Sequence, residues 1–383
     1  MGVIQESQVR GHVRQEERSV VVDSAALNGI CPYFTMFPLD FPLRILRRRA
    51  RQGEIVLDPF CGRGTTNFAA RLTQLYSMGV DSSPVAAAIS SAKLVSAAPE
   101  AIRAEAASMI ETRIAQHVPN GEFWRWAFHP SVLESICRLR EGLIEDCSTP
   151  VRVALRGIVL GALHGPKQKT FPSYLSNQCP RTYAPKPKYA IRYWQNHGLQ
   201  PESIDVAALI ERRANRYYVN LPNVHGVVRR ADSRNPGALQ PVAQGAQFDW
   251  IITSPPYYGM RTYIPDQWLR NWFVGGPESV DYTSREQVVH SSPEEFAADL
   301  RAVWRNSATI SADSANMVIR FGGISDRSVD PLTLIKESLA DSGWRITTAR
   351  RAGTATAGKR QANAFLRSRS IPLAEYDVWA VRH

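Results

Sequence analysis

One strand in this chain is forbidden to continue. Phe248-Asp249-Trp250-Ile251-Ile252-Thr253 reads as an apolar strand, and Ser254-Pro255-Pro256-Tyr257 follows it at once. Consecutive prolines lack the N–H that a ladder needs and cannot start a helix interior, so the backbone must leave the sheet as a rigid extended turn. Such a turn holds three things at the carboxyl edge of a sheet: a small polar side chain, carbonyls that have lost their strand partners, and an aromatic ring. Acceptors beside a stacking plate suit a planar base that carries an exocyclic amine. A bare Pro-Pro-Tyr is common in loops; the apolar strand before it and a second motif upstream give it weight.

The second motif is Glu54-Ile55-Val56-Leu57-Asp58-Pro59-Phe60-Cys61-Gly62-Arg63-Gly64-Thr65-Thr66. A short strand runs through an acid into a Gly-x-Gly turn and then a helix start, with Thr65 and Thr66 available as caps. Gly62 and Gly64 allow a backbone to pass close to a ligand where a Cβ would obstruct it. A dinucleotide fingerprint would place its third glycine at Asn67, so that reading fails at a defined position. A phosphate-binding loop fails as well, because no Gly-Lys-Thr follows. Two further acids end strands: Asp81 after Leu75–Val80, and Asp232 after Val227–Ala231. An acid after the second strand is the usual device for holding a ribose in doubly wound folds, which points to Asp81; either aspartate also suits a helix cap.

Together the motifs resemble the DNA amino-methyltransferases, which methylate the N4 of cytosine or the N6 of adenine. That resemblance implies a class I methyltransferase fold: an α/β, Rossmann-like, mostly parallel sheet ending in an antiparallel hairpin. It implies S-adenosylmethionine as cofactor, held by Asp58, Pro59, Phe60, Gly62, Gly64 and Thr65, with Phe37 packing over it from the segment upstream. Asp81 would take the ribose and Asp232 the adenine amine of the cofactor. Ser254, Pro255, Pro256 and Tyr257 would form the catalytic turn, with Tyr258 as a second candidate ring.

The chain has 383 residues and a formal net charge of +11. Between Val151 and Arg230 stand thirteen basic residues against Glu202, Asp205 and Glu211, so that segment holds nearly the whole excess. Its cations interleave with aromatics: Lys167, Lys169, Arg181, Lys186, Lys188 and Arg192 alternate with Phe171, Tyr174, Tyr183, Tyr189, Tyr193 and Trp194. Phosphate contact and base stacking need those two types side by side, and the partner expected is double-stranded DNA. The bland reading is a solvated helical surface. Five cysteines without a Cys-x-x-Cys or Cys/His cluster argue for reduced thiols and against zinc. With a polar, charged Met1–Val20 and no apolar run of membrane length, the expectation is a cytoplasmic protein.

Along the chain we read a basic arm over 1–25, a methyltransferase domain over 26–97 and 225–383, and a helical insertion over 98–224. Helical spacing covers Ala101–His117, Pro130–Ile144 and Ile204–Tyr218, while four prolines make Phe171–Pro187 an irregular loop. The insertion is the expected target-recognition region. Tyr263–Tyr282, with Trp268 and Trp272, is the competing location, and the arginine-rich 350–369 segment is a second DNA-facing candidate. Within the family a leading serine leans to N4 of cytosine; N6 of adenine is the alternative, and an RNA base the second. A cognate restriction endonuclease is a candidate partner. No Pro-Cys nucleophile is present, which excludes carbon-5 methylation of cytosine.

Overall fold

Five parallel strands, each ending at the same edge, follow from the alternation of apolar runs and helices. The computed structural model describes residues 25–32, 37–165, 173–179, 186–259, 267–280, 292–323, 329–354 and 374–383. In chain order come α1 (Asp40–Arg49), β1 (Ile55–Asp58), α2 (Thr65–Leu72), β2 (Tyr76–Asp81) and α3 (Pro84–Ala92). Six helices follow: α4 (Pro99–Thr112), α5 (Glu122–Ala127), α6 (Pro130–Glu145), α7 (Pro150–Ala162), α8 (Pro187–Asn196) and α9 (Val206–Tyr217). The sheet then resumes with β3 (Val227–Arg230) and β4 (Phe248–Thr253), then α10 (Trp268–Phe273), α11 (Pro293–Thr309) and β5 (Ser311–Gly322). The chain ends with α12 (Pro331–Leu339), β6 (Trp344–Thr354) and β7 (Ala374–Arg382).

The seven strands order as β3-β2-β1-β4-β5-β7-β6. All neighbours are parallel except β7, which runs antiparallel to both β5 and β6. This is the class I methyltransferase sheet that the motifs led us to expect, hairpin included. β6 and β7 form a long hairpin whose ladder runs from Trp344 opposite Arg382 to Thr354 opposite Ala374. The central strands are covered on both faces, as parallel strands must be. Leu57, Met78 and Ile251 pack with α11 and α12, whereas Val56, Trp250, Ile252 and Val318 pack with α1 and α2.

Helix starts follow their caps. Asp205 accepts from the Ala208 N–H at 2.9 Å, so α9 begins at Val206 and not at Ile204. α4 likewise runs from Pro99 to Thr112, short of the expected His117. α4 to α9 build a helical lobe against α3, whose Ala88, Ile89 and Ala92 share a core with Ile102, Ile136 and Leu155. α7 approaches α3 closely: a Cβ on Gly157 would stand 2.3 Å from that of Ala92.

α10, from the segment after the Pro-Pro turn, belongs to the same core. The Trp272 ring centroid is 4.6 Å from Trp124 and that of Trp268 is 4.9 Å from Phe123. Arg140 Nε donates to the Trp272 carbonyl at 2.8 Å. Arg270, buried, donates to the carbonyls of Leu160 and His164. His164 is pushed down to about 3 by burial and by Arg270, so it is neutral and hydrogen-bonds Ser176 at 2.6 Å. The two stretches between which the sequence divided target recognition are thus parts of one packed body.

Candidate active site at the carboxyl edge of the sheet

Strand order reverses between β1 and β4, and doubly wound sheets bind ligands at that switch point, beyond the carboxyl ends of the strands. Both sequence motifs end there. The Val56↔Trp250 and Leu57↔Ile251 register puts the turn after β1 beside the turn after β4. Two side-chain bonds join them: Thr253 Oγ1 donates to Asp58 Oδ1 at 2.6 Å, and Thr66 Oγ1 donates to the Ile252 carbonyl at 3.1 Å. Asp58 is buried and also accepts from the Phe60 N–H at 3.1 Å. Burial outweighs these bonds and lifts its carboxyl to about 6.

Thr65 and Thr66 are not caps as expected. The cap position of α2 is Gly64 in the left-handed region, and it makes no side-chain bond. Gly62 (φ +51°) and Gly64 (φ +73°) both need that region, for different reasons. Beside Gly62 a Cβ would meet nothing within 4 Å; beside Gly64 it would lie 2.1 Å from Ser90 Oγ. Gly62 therefore leaves an open place at the switch point, while Gly64 lets α2 and α3 close on each other. Asn67, where a dinucleotide fingerprint would need glycine, is buried and donates to Ser77 Oγ at 3.2 Å.

Asp81 ends β2 half-buried. Its carboxylate accepts from the Gly62 N–H and the Ser83 N–H, both at 2.9 Å, and burial raises its pKa. A carboxylate has about four lone-pair sites, so two remain for ribose hydroxyls. Asp232 is bound differently. Arg234 Nε donates to both its oxygens at 3.1 Å and Nη2 adds a bond at 2.6 Å, which hold its pKa down. Arg234 also pairs with Asp299 on α11 at 2.8 Å. Its neighbour Ser233, buried, donates to the Pro59 carbonyl at 2.6 Å and so ties the β3 end to the first motif. Phe60 meets Trp304 edge-on at 5.9 Å, and Phe37 is buried edge-on to Phe41 at 5.4 Å.

Tyr257 is also buried. Its hydroxyl donates to Glu375 at 2.5 Å and its ring meets Phe321 edge-on at 5.4 Å. Tyr258 packs into the core on Phe296. Glu375, Ser233, Arg234 and the two threonine bridges escaped sequence reasoning. Glu375 in particular alternates with apolar residues in the last strand, where a carboxylate reads as solvent-facing.

Of the candidate DNA contacts, Lys186, Lys188 and Arg192 are exposed on or beside α8. Tyr189, Tyr193 and His197 form a stacked ladder along the same helix, with centroids 6.4 and 4.2 Å apart. Trp194 and Tyr174, counted among the interleaved aromatics, are core residues. Lys167, Lys169, Arg181 and Tyr183 lie outside the described residues. Among the described residues no group of His, Cys, Asp and Glu could hold a metal, and no helix is long and apolar enough to cross a membrane.

Residues 7–92 match the model of the DNA methylase family N6_N4_Mtase. No curated protein matches the chain. Among solved structures, the rRNA methyltransferase AviRa from Streptomyces viridochromogenes is 14% identical, covering 94% of this chain and 92% of its own, with a TM-score of 0.36. TrmN from Thermus thermophilus is 11% identical over 94% of this chain and 53% of its own, with a TM-score of 0.36. A modification subunit of a putative type I restriction enzyme from Vibrio vulnificus is 10% identical over 92% and 45%, with a TM-score of 0.33. Likenesses this loose add nothing to what the strand order establishes. The strand order is that of a class I methyltransferase sheet, and residues 7–92 match the DNA methylase family, in accord with the amino-methyltransferases that the motifs resemble.

Proposed function

We propose that the protein methylates the exocyclic amine of a base flipped out of duplex DNA, and that the base is cytosine, methylated at N4. The observation that carries the reading is the Thr253–Asp58 bond, which pins the Ser-Pro-Pro-Tyr turn against the glycine turn at the switch point. The DNA methylase match supports DNA over RNA, and Ser254 as the leading residue of the turn supports cytosine.

S-adenosylmethionine, when bound, supplies a methyl group on a sulfonium. Gly62 fits it by the open place at its Cα, and Asp81 by its two unused acceptor sites for ribose hydroxyls. Asp58, Pro59, Phe60, Gly64 and Thr65 shape the turn around it. Asp232, held by Arg234, would meet the adenine amine. The target amine's lone pair is delocalised into its ring, so the enzyme must draw it out. The Ser254 hydroxyl and the Pro255 carbonyl would accept the amine hydrogens and favour tetrahedral nitrogen; positioning and charge redistribution supply the rate. Tyr257, next to Ser254, is the ring on which the base stacks, which offsets the few kcal/mol that flipping costs.

We assign recognition to the lobe of 98–224 together with α10, which shares its core, and the methyl-transfer domain to 26–97 and 225–383. The Ser254→Ala enzyme should bind S-adenosylmethionine normally by calorimetry yet transfer methyl about 10²-fold more slowly. Tyr257→Ala should be slower still. Mass spectrometry of nucleosides from methylated duplex should find N4-methylcytosine. N6-methyladenine would move the base, and product on RNA alone would overturn the substrate class.

A further inference from the structure

Helix α8 carries rows of side chains that differ sharply in kind. Tyr189, Tyr193 and His197 follow at i, i+4 and i+8, so they lie one above another along the helix and its last turn. Their rings are nearly parallel. Tyr189 and Tyr193 stand 23° apart with centroids at 6.4 Å, and Tyr193 and His197 stand 28° apart at 4.2 Å. Lys188 and Arg192 each precede a tyrosine by one residue, which places them in a second row about 100° around the helix. Ala190 and Trp194 each follow a tyrosine and make a third row, fully buried. The rings therefore run between the cations and the core.

The row of rings is held from below. Trp194 packs on Phe123 with centroids 5.9 Å apart, and its Nε1 donates to the Gln178 carbonyl at 3.3 Å. His197 Nδ1 donates to the Tyr193 carbonyl at 2.8 Å, which sets the imidazole against the Tyr193 ring. The chain then turns off at Gly198 in the left-handed region (φ +59°), where a Cβ would meet nothing within 4 Å. On the outer side Tyr189 is 54% exposed, and Lys188, Arg192 and His197 are exposed as well. From Lys186 to Pro201 the chain has no acid. Gln195 does bind the Glu122 carboxylate, at 3.0 Å, but position 195 lies about 160° around the helix from Tyr193.

We propose that α8 is a platform for unpaired DNA: bases of a single strand continue the row of rings, and its phosphates follow Lys188 and Arg192. This deepens the assignment of recognition to the helical lobe and rests on DNA being the substrate. Geometry selects the unpaired strand. In a duplex each base face is covered by the next pair, so a protein meets only groove edges, sugars and phosphates. Rings arranged face to face then have nothing to stack on. An unpaired base exposes its π-face, and stacking on an aromatic tolerates any sequence. A single strand also carries its phosphates beside its bases, as α8 carries its cations beside its rings.

Fluorescence anisotropy on the whole chain tests this with three labelled probes: oligothymidylate of about twelve nucleotides, an abasic strand of equal length, and a duplex. Thymine has no exocyclic amine, so the single-strand arms involve no methyl transfer. The parent should bind oligothymidylate about tenfold more tightly than the abasic strand, which has phosphates without bases. Tyr189→Ala should lose about tenfold on oligothymidylate and almost nothing on the other two probes, whereas Tyr189→Phe, which keeps the ring, should match the parent. Arg192→Gln should weaken both single strands alike and lower the slope of log K against log salt by about 0.7. A urea-unfolding curve that matches the parent's shows that Tyr189→Ala lost a ring and not the fold. Equal parental affinity for oligothymidylate and the abasic strand, or full oligothymidylate affinity in Tyr189→Ala, would overturn the platform while duplex binding keeps the DNA reading. Tighter binding of oligouridylate would give the platform to RNA and overturn it as stated. Binding to none of the probes would overturn both readings.

Discussion

The carboxyl edge of the sheet has two halves that are assembled in opposite ways. On the cofactor half, most bonds that shape the turn join near neighbours, Phe60 to Asp58, Ser83 to Asp81, and Gly62 to Asp81 only 19 residues away, with Ser233 to Pro59, 174 residues apart, as the long-range tie. On the base half, Tyr257 finds its partner 118 residues on, and the bond that pins the two halves, Thr253 to Asp58, spans 195. The first half is one strand–turn–helix–strand unit whose backbone geometry makes the site. The second is a rigid turn whose side chains receive their roles from whatever the fold brings beside them. Local units of this kind are recognisable by motif; gathered ones are recognisable only by topology.

The glycines offer the sharpest way to break this comparison. Gly64→Ala would force a Cβ against Ser90 at a positive φ, and should cost about 3 kcal/mol of stability. Gly62→Ala pays only the left-handed strain, about 1 kcal/mol, yet should lose S-adenosylmethionine affinity because the methyl fills the open place. Urea unfolding beside calorimetry separates the two. Equal stability losses would mean that the two glycines serve one purpose, against the geometry.

Asp58 sharpens the junction between the halves. Its folded pKa, near 6, stands above the unfolded value of about 4. The folded state therefore binds more protons between those values, and stability falls as pH rises through that window, levelling above it. Asp58→Asn keeps an oxygen for Thr253 and Phe60 without the buried charge. Its stability relative to the parent should rise between pH 4 and pH 7 by as much as about 3 kcal/mol. Parallel stability–pH curves for the two proteins would show that Asp58 is not desolvated as its burial implies.

The smallest expected effect on the fold lies on the exposed face of α8. Neutralising Lys186, Lys188 and Arg192 together should leave stability unchanged, since all three are exposed. It should lower the slope of log K against log salt for DNA by about 2 to 3. An unchanged slope would move the phosphate contacts away from α8, toward the 350–369 segment.

Much of the fold was legible because its signals are short-range. The β1 and β4 ends, the acids after β2 and β3, and the hairpin at the end of the chain each show within about a dozen residues. What misled were residues whose type admits two uses. Thr65 and Thr66 have the chemistry of caps, but a left-handed glycine already turns the chain, which frees Thr66 to bridge to β4. Trp194 and Tyr174 sit among lysines and read as stacking residues, but both are buried: Trp194 supplies the core face of α8, and Tyr174, in an irregular stretch, packs its ring against Gly165. Target recognition was assigned to two rival places because nothing in a linear chain shows that α10 fills a gap between α5 and α6.

By itself, the sequence determined that this chain builds a doubly wound sheet with a Gly-x-Gly turn and a Pro-Pro turn at strand ends. Positive-φ glycines and consecutive prolines constrain the backbone wherever they stand, so no distant contact is needed to read them. Only the tertiary structure decided which side chains meet across those turns. Parallel strands carry their carboxyl ends to one edge, and an antiparallel last strand brings its beginning there too, so Glu375 lies against Tyr257. That meeting depends on strand order and direction, which are properties of the whole sheet and of no segment within it.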